Sequence, residues 1–245
     1  MTDRIAVISD VHGNLHALEA VRRAIHHTSI TRIWCLGDMV GYGANPAECL
    51  RVCVHDSERC IAGNHDLAAA GRVSVSEFSY LARTAIEWTR TRLDRNSLDR
   101  LAILEPQDAD APVALFHASP RDPIWEYIIT GEQVRAAFVA DPSRIIMVGH
   151  THVAGAWRLS DDGRLDGGMM RGEGTVSLEA GRWLINPGSV GQPRDLDPRA
   201  SWVILDLDAL TLTFRRTPYD VPGAQNAIQA AGLPAELGAR LAEGQ

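Results

Sequence analysis

Ile5-Ala6-Val7-Ile8 contains no polar side chain, yet the run is too short to be a buried helix. Such a run suits a strand covered on both faces, as the inner strands of a parallel or mixed sheet are. Thr31 to Leu36, residues 58–62, Pro112 to Phe116 and Arg144 to Val148 have the same character. Helical spacing separates them. Leu15, Leu18, Ala20, Val21 and Ile25 follow the first run, Pro46 opens a helix to about Cys53 after the second, and a further helix is expected near 131–140. Residues 67–105 are rich in Ala and Arg, with Tyr80, Leu81, Ile86, Trp88 and Leu93 on an amphipathic pattern. They predict one or two helices outside the sheet or over a pocket, within a single domain spanning 1–245.

After residue 152 the period shortens. Val153 to Arg158, Thr175 to Glu179, Trp183 to Ile185, Trp202 to Leu207 and Leu212 to Arg215 predict consecutive strands. Asp161-Asp162-Gly163 predicts a hairpin turn between two of them. The stretch 221–243 is expected to be helical around Ala227, Ile228, Leu233 and Leu237. An alternating β/α half followed by a mostly β half is best buried as two packed sheets flanked by helices.

Each of the five early runs stops at residues that can bind a cation. These are Asp10 with His12, Asp38, Asn64 with His65, His117, and His150 with His152. Sites in open α/β sheets gather outside the carboxyl ends of strands. Five of the nine histidines sit there, whereas chance would scatter them over helices and loops. In extended chain, residues i and i+2 point the same way, so Asp10 can converge with His12, and His150 with His152. Each pair alone is an ordinary capped turn; the full set points to a metal site.

The five elements resemble the calcineurin-like metallophosphoesterases, in particular their small bacterial and archaeal phosphodiesterases. That family is marked by Asp-x-His, Gly-Asp with following glycines, Gly-Asn-His-Asp/Glu, a lone His after a strand, and Gly-His-x-His. All occur here in that order between residues 10 and 152. The resemblance implies a four-layer α/β/β/α sandwich of two mixed sheets, and two divalent cations. One would be held by Asp10, His12, Asp38 and His152, the other by Asp38, Asn64, His117 and His150, with Asp38 bridging. His65 would face the substrate phosphate.

Two cations ~4 Å apart can clamp a phosphoryl group and share a bridging hydroxide. With two carboxylates and one hydroxide the site charge is about +1. Imidazole, carboxylate and amide donors suit Mn, Fe, Ni, Co or Zn better than Mg or Ca. His65, held as imidazolium by the phosphate, could stabilise developing charge and protonate the leaving oxygen. The expected activity is metal-dependent phosphodiester hydrolysis of small-molecule or nucleotide substrates. A phosphomonoesterase or protein phosphatase is one alternative, and a non-catalytic metal-binding scaffold, as in the retromer subunit of this fold, is another.

Substrate contacts are fewer. Asn14 could reach the pocket or cap the helix that follows it. Asn186-Pro187-Gly188-Ser189-Val190-Gly191-Gln192-Pro193-Arg194 resembles a segment of the small phosphodiesterases, and Arg194 could contact phosphate or lie at the surface. Tyr42, Trp125 and Tyr127 could form an apolar wall for a base or aryl group, or belong to the edge of the core. Gly41 and Tyr42 stand where protein phosphatases and diadenosine tetraphosphate hydrolases carry Asp-Arg, which disfavours both activities.

Composition narrows the partners. A formal charge of −7 and the lack of any Lys/Arg run argue against a nucleic-acid polymer. No apolar run has the length of a membrane span, and the first residues lack a secretory pattern, so a cytoplasmic protein is expected. Cys35, Cys49, Cys53 and Cys60 read as buried thiols, a zinc site at the last three being the minor alternative. The oligomeric state is left open.

Overall fold

A computed structural model describes residues 3–245. Among the described residues, twelve strands form two six-stranded sheets flanked by eight α-helices. The first sheet runs β3 (Arg59–Cys60), β2 (Arg32–Cys35), β1 (Arg4–Ile8), β11 (Ala200–Asp206), β12 (Thr211–Thr217) and β9 (Gly174–Ser177). The second runs β4 (Gln107–Asp110), β5 (Val113–Phe116), β6 (Ile145–Met147), β10 (Arg182–Asn186), β7 (Gly155–Leu159) and β8 (Leu165–Met169). Parallel pairing joins β3, β2 and β1 in one sheet and β5, β6 and β10 in the other. All other pairings are antiparallel, so both sheets are mixed.

The period-2 pattern of β1 explains why the sheets stack. Ile5 and Val7 enter a core shared with Val113, Leu115, Ile145, Met147 and Ile185 of the second sheet. Ala6 and Ile8 face the opposite way. There they meet Leu18, Val21 and Ile25 of α1 (Leu15–His26), Leu50 and Cys53 of α2 (Pro46–Asp56), and Leu101 of α5 (Arg95–Ala102). A slip of one residue would exchange the two sets, so burial on both faces fixes the register. The outer face of the second sheet is covered by Val134, Ala137 and Phe138 of α6 (Gly131–Ala140). The result is the expected α/β/β/α sandwich.

Three further helices bear on the site. α4 (Tyr80–Arg92), α7 (Val221–Ala230) and α8 (Ala235–Glu243) share an apolar cluster that includes Ala82, Ala85, Ile228, Leu237, Leu241 and Tyr42. The region 67–105 thus holds α4 and α5 besides a short turn at Val75–Glu77, after α3 (Asn64–Ala69). One end of α4 lies over the pocket, while α5 packs outside the sheet.

Two strands escape the sequence pattern. The turn at Asp161-Asp162-Gly163 joins β7 to β8, not the 153–158 run to 175–179. β8 reads Leu-Asp-Gly-Gly-Met, and Gly167 and Gly168 have positive φ, so no alternation marks it. β4 is the polar edge strand Gln-Asp-Ala-Asp. Its Asp108 and Asp110 pair with Arg59, and Asp110 also with Arg32.

Candidate metal centre and its cleft

The chain turns sharply as it leaves β1, β2 and β6. Asp10, His12, Asp38, His150 and His152 all have φ between 50° and 63°. This left-handed conformation costs an L-residue about 1 kcal/mol or more, and Asp and His are among the side chains that tolerate it best. The turns are held by bonds between loops. Asp10 N donates to Gly37 O (3.0 Å), His12 N to Asp38 O (2.8 Å) and Gly191 N to Asp10 O (2.9 Å).

The side chains converge. Asp10, His12, Asp38 and His152 form one group, and Asp38, His117 and His150 another, each with possible ligand atoms within 4.8 Å of one another. Asp38 belongs to both. Its Oδ2 lies 3.5 Å from His12 Nε2 and 3.5 Å from His117 Nε2. His152 Nε2 is 3.4 Å from Asp10 Oδ1. Asn64 joins the second group, with its Oδ1 3.2 Å from His117 Nε2. All seven side chains are buried.

Hydrogen bonds around the rings set their tautomers. Nδ1–H of His12 donates to Val40 O (3.1 Å), that of His117 to Leu36 O (2.8 Å) and that of His152 to Gln192 O (2.7 Å). Each Nε2 therefore presents a lone pair inward. His150 is reversed: its Nε2–H donates to Trp125 O (3.3 Å), leaving Nδ1 for the centre. Two lone-pair nitrogens, His12 Nε2 and His152 Nε2, then face each other at 3.0 Å. A lone pair of His117 faces the amide oxygen of Asn64 in the same way.

Divalent cations fit these observations. Asp10 Oδ1 and Asp38 Oδ2 are buried without a hydrogen-bond partner among the described residues. Burial pushes the Asp10 carboxyl up to about 7 and the Asp38 carboxyl up to about 8. Burial also pushes His12, His150 and His152 well below the ordinary imidazole range, which keeps them neutral as ligands require. Facing lone pairs and orphaned carboxylate oxygens are costly alone and complementary to positive charge.

His65 sits beside the groups, and its backbone N donates to Asp38 Oδ1 (2.9 Å). Its ring packs edge-on to His12 and Phe78 and tilts against Tyr42. Gly41 makes room for it, because a Cβ there would lie 2.4 Å from His65 Nδ1. With Nδ1 sealed against that glycine, Nε2 is the nitrogen toward the cleft. Burial, then the charge of Arg194, pushes His65 well below the ordinary range. The Asp66 carboxylate accepts from Gly63 N, Met39 N and Val40 N, tying two loops together.

The cleft over the centre has a volume of about 280 Å³. Arg194 lines it, with Nη2 donating to Gln192 Oε1 (2.9 Å) and its guanidinium 5.9 Å from the centre of the Tyr42 ring. Tyr127 stacks on His150 at 4.0 Å, and Phe78 meets Trp125 edge-on at 5.1 Å. Tyr42, Trp125 and Tyr127 thus border the cleft, and Phe78 and Arg240, which no sequence signal singled out, border it as well. Asn14 points elsewhere: its Oδ1 caps α1 at Ala17 N, and its Nδ2 donates to Gly191 O (2.9 Å).

Known proteins resemble this chain in sequence and fold. Residues 4–210 match the family model described as the calcineurin-like phosphoesterase superfamily domain. An uncharacterized protein of Methanocaldococcus jannaschii is 38% identical over 243 residues, covering 97% of this chain and 96% of the relative. The crystal structure of a metallophosphoesterase from Sphaerobacter thermophilus superposes with a TM-score of 0.90 at 39% identity, covering 100% of both chains. A symmetrical bis(5'-nucleosyl)-tetraphosphatase of Pseudomonas entomophila is 36% identical over 63 residues, covering 24% of this chain and 22% of the relative. The chain belongs to the calcineurin-like phosphoesterase superfamily.

Proposed function

We propose that this calcineurin-like phosphoesterase is a dinuclear metal-dependent phosphodiesterase acting on small-molecule or nucleotide phosphoesters. The observation that carries the reading is Asp38 Oδ2, equidistant at 3.5 Å from one histidine of each group. Asp10, His12, Asp38 and His152 would hold one cation and Asp38, Asn64, His117 and His150 the other, with Mn, Fe, Ni, Co or Zn suited to these donors. When bound, such ions supply charge stabilisation at phosphoryl oxygens and acidify the attacking water.

The remaining work falls to the chain's own residues. Burial keeps His65 neutral, and an anionic phosphoester beside it favours its protonated form. Nε2–H then donates to a phosphoryl or leaving oxygen. Arg194 adds a fixed positive charge that acts on Asp10, Asp38 and His65 alike. The stacked Tyr127 and His150 and the Phe78–Trp125 pair offer an aryl or base-sized group an apolar surface and exclude water. A cleft of about 280 Å³ suits a small ester. The diester preference rests on a modest positive charge, since Tyr42 stands where an arginine would add to Arg194. The short likeness to the bis(5'-nucleosyl)-tetraphosphatase favours a second reading, cleavage within a dinucleoside polyphosphate.

The test is a screen of metals against bis(p-nitrophenyl) phosphate and p-nitrophenyl phosphate, run with the unaltered protein and His65→Ala. The diester should be hydrolysed faster, and His65→Ala should keep its metal content while losing about a hundredfold or more in turnover. Hydrolysis of neither ester with any of the five metals would support the scaffold instead. An unchanged rate in His65→Ala would remove that residue from the chemistry.

A further inference from the structure

The wall of the cleft opposite the strand ends is furnished by α8. Arg240, half-buried in its last turn, lines the same cleft as Asn64, His65, His150 and Arg194. Its backbone position is firmly set. Leu237 and Leu241 are buried against Tyr42, Ala224 and Ile228, and Gln225 Nε2 donates to Gly238 O (3.0 Å). Leu196 N donates to Gly244 O (3.0 Å), which ties the end of α8 to the loop that carries Arg194. Arg240 lies beyond residues 4–210, the part matched by the family model.

Among the described residues the Arg240 guanidinium has no hydrogen-bond or ion-pair partner. A cation in the last turn complements the helix dipole wherever its head group goes. That account does not require the head group to border a cleft. Glu77 is the one carboxylate among the lining residues, and it is exposed at the rim. Arg194, Arg240 and Glu77 together leave one net positive charge, on a chain whose formal charge is −7. The two arginines also differ in which groups feel their charge. Arg194 is among the leading electrostatic influences on Asp10, His12, Asp38, His65 and His152, whereas Arg240 is among those on none of them.

We propose that Arg240 determines specificity by binding a second anionic group of the substrate, a phosphate that is not cleaved, at the outer end of the cleft. The planar guanidinium fork matches a phosphate in two parallel hydrogen bonds, which a half-buried site strengthens. The substrate class is then a small phosphodiester bearing a further phosphate, with its base or aryl group against Phe78 and Trp125. The inference rests on the phosphodiesterase reading for the inner phosphate.

The test compares thymidine 5'-(p-nitrophenyl phosphate) with the same diester carrying a 3'-phosphate. The unaltered protein should show the lower KM for the phosphorylated diester. Arg240→Gln should erase that difference, about tenfold, and Arg240→Lys should restore part of it. In parallel, calorimetry on metal-reconstituted protein compares thymidine 3',5'-bisphosphate with thymidine 5'-monophosphate. This binding arm needs no turnover: discrimination lost in Arg240→Gln, without hydrolysis of either diester, would uphold the anion site and overturn the phosphodiesterase reading. No discrimination by the unaltered protein in either arm, or an equal loss for both members of a pair, overturns the proposal. Arg240→Lys melting with the unaltered protein guards against a folding artefact in Arg240→Gln.

Discussion

The floor and the rim of the cleft are built by different means. The floor consists of side chains at the ends of β1, β2, β3, β5 and β6, buried and locked by bonds from neighbouring loops. The rim consists of Phe78 before α4, Trp125 and Tyr127 on a loop, Arg194 on another loop and Arg240 on α8. None of these five is fully buried, and each is carried by an element that a related chain can lengthen or shift without disturbing a sheet. On the proposed function the difference separates tasks: the floor would set which bond can break, and the rim which molecule is admitted.

Asp38→Asn attacks the floor at its shared point and should have the largest effect. Losing the bridging charge should empty both cation positions and lower turnover by more than about a hundredfold, the loss that even an outer-shell substitution can cause. Metal content by mass spectrometry and steady-state rates check it. A variant that keeps two equivalents of metal would show that the floor is less interdependent than its distances suggest.

Why the floor was legible and the rim was not follows from how each is encoded. Asp10, His12, Asp38, Asn64, His117, His150 and His152 stand directly after apolar runs, so the strand pattern and the ligand chemistry sit side by side in the sequence. Phe78 and Arg240 have no such neighbour. Phe78 precedes α4, Arg240 lies far along the chain, and the packing of Leu237, Leu241 and Tyr42 brings them to one cleft. Asn14 illustrates a residue type with two good uses, whose side chain caps α1 and braces Gly191. β4 was hidden because an edge strand stabilised by ion pairs to Arg32 and Arg59 needs no apolar alternation.

A smaller effect is expected from pH. Burial raises Asp10 to about 7 and Asp38 to about 8, so near pH 6 both carboxyls are mostly protonated before metal binds and a cation must displace the protons. Affinity for Mn²⁺ should therefore rise as pH rises from 6 to 8, by about tenfold or more, and level off above that. Competition titration against a chelator at fixed ionic strength measures it, and a flat profile would mean that the carboxylates are charged before metal arrives.

The smallest effect belongs to the rim. Phe78→Ala removes edge-on contacts to His65 and Trp125, worth about 0.5–1.5 kcal/mol. It should raise KM for aryl diesters about two- to tenfold while kcat stays within about twofold. A fall in kcat at constant KM would break the division between floor and rim, because it would place Phe78 behind the positioning of His65.

The left-handed turns at Asp10, His12, Asp38, His150 and His152 have one more consequence. A cage whose bars are already bent into shape by the surrounding loops has little left to rearrange when cargo enters. On the proposed reading, ions can then come and go without the polypeptide unfolding. Which ion resides there at a given moment becomes a matter of supply in the surroundings as much as of the cage itself.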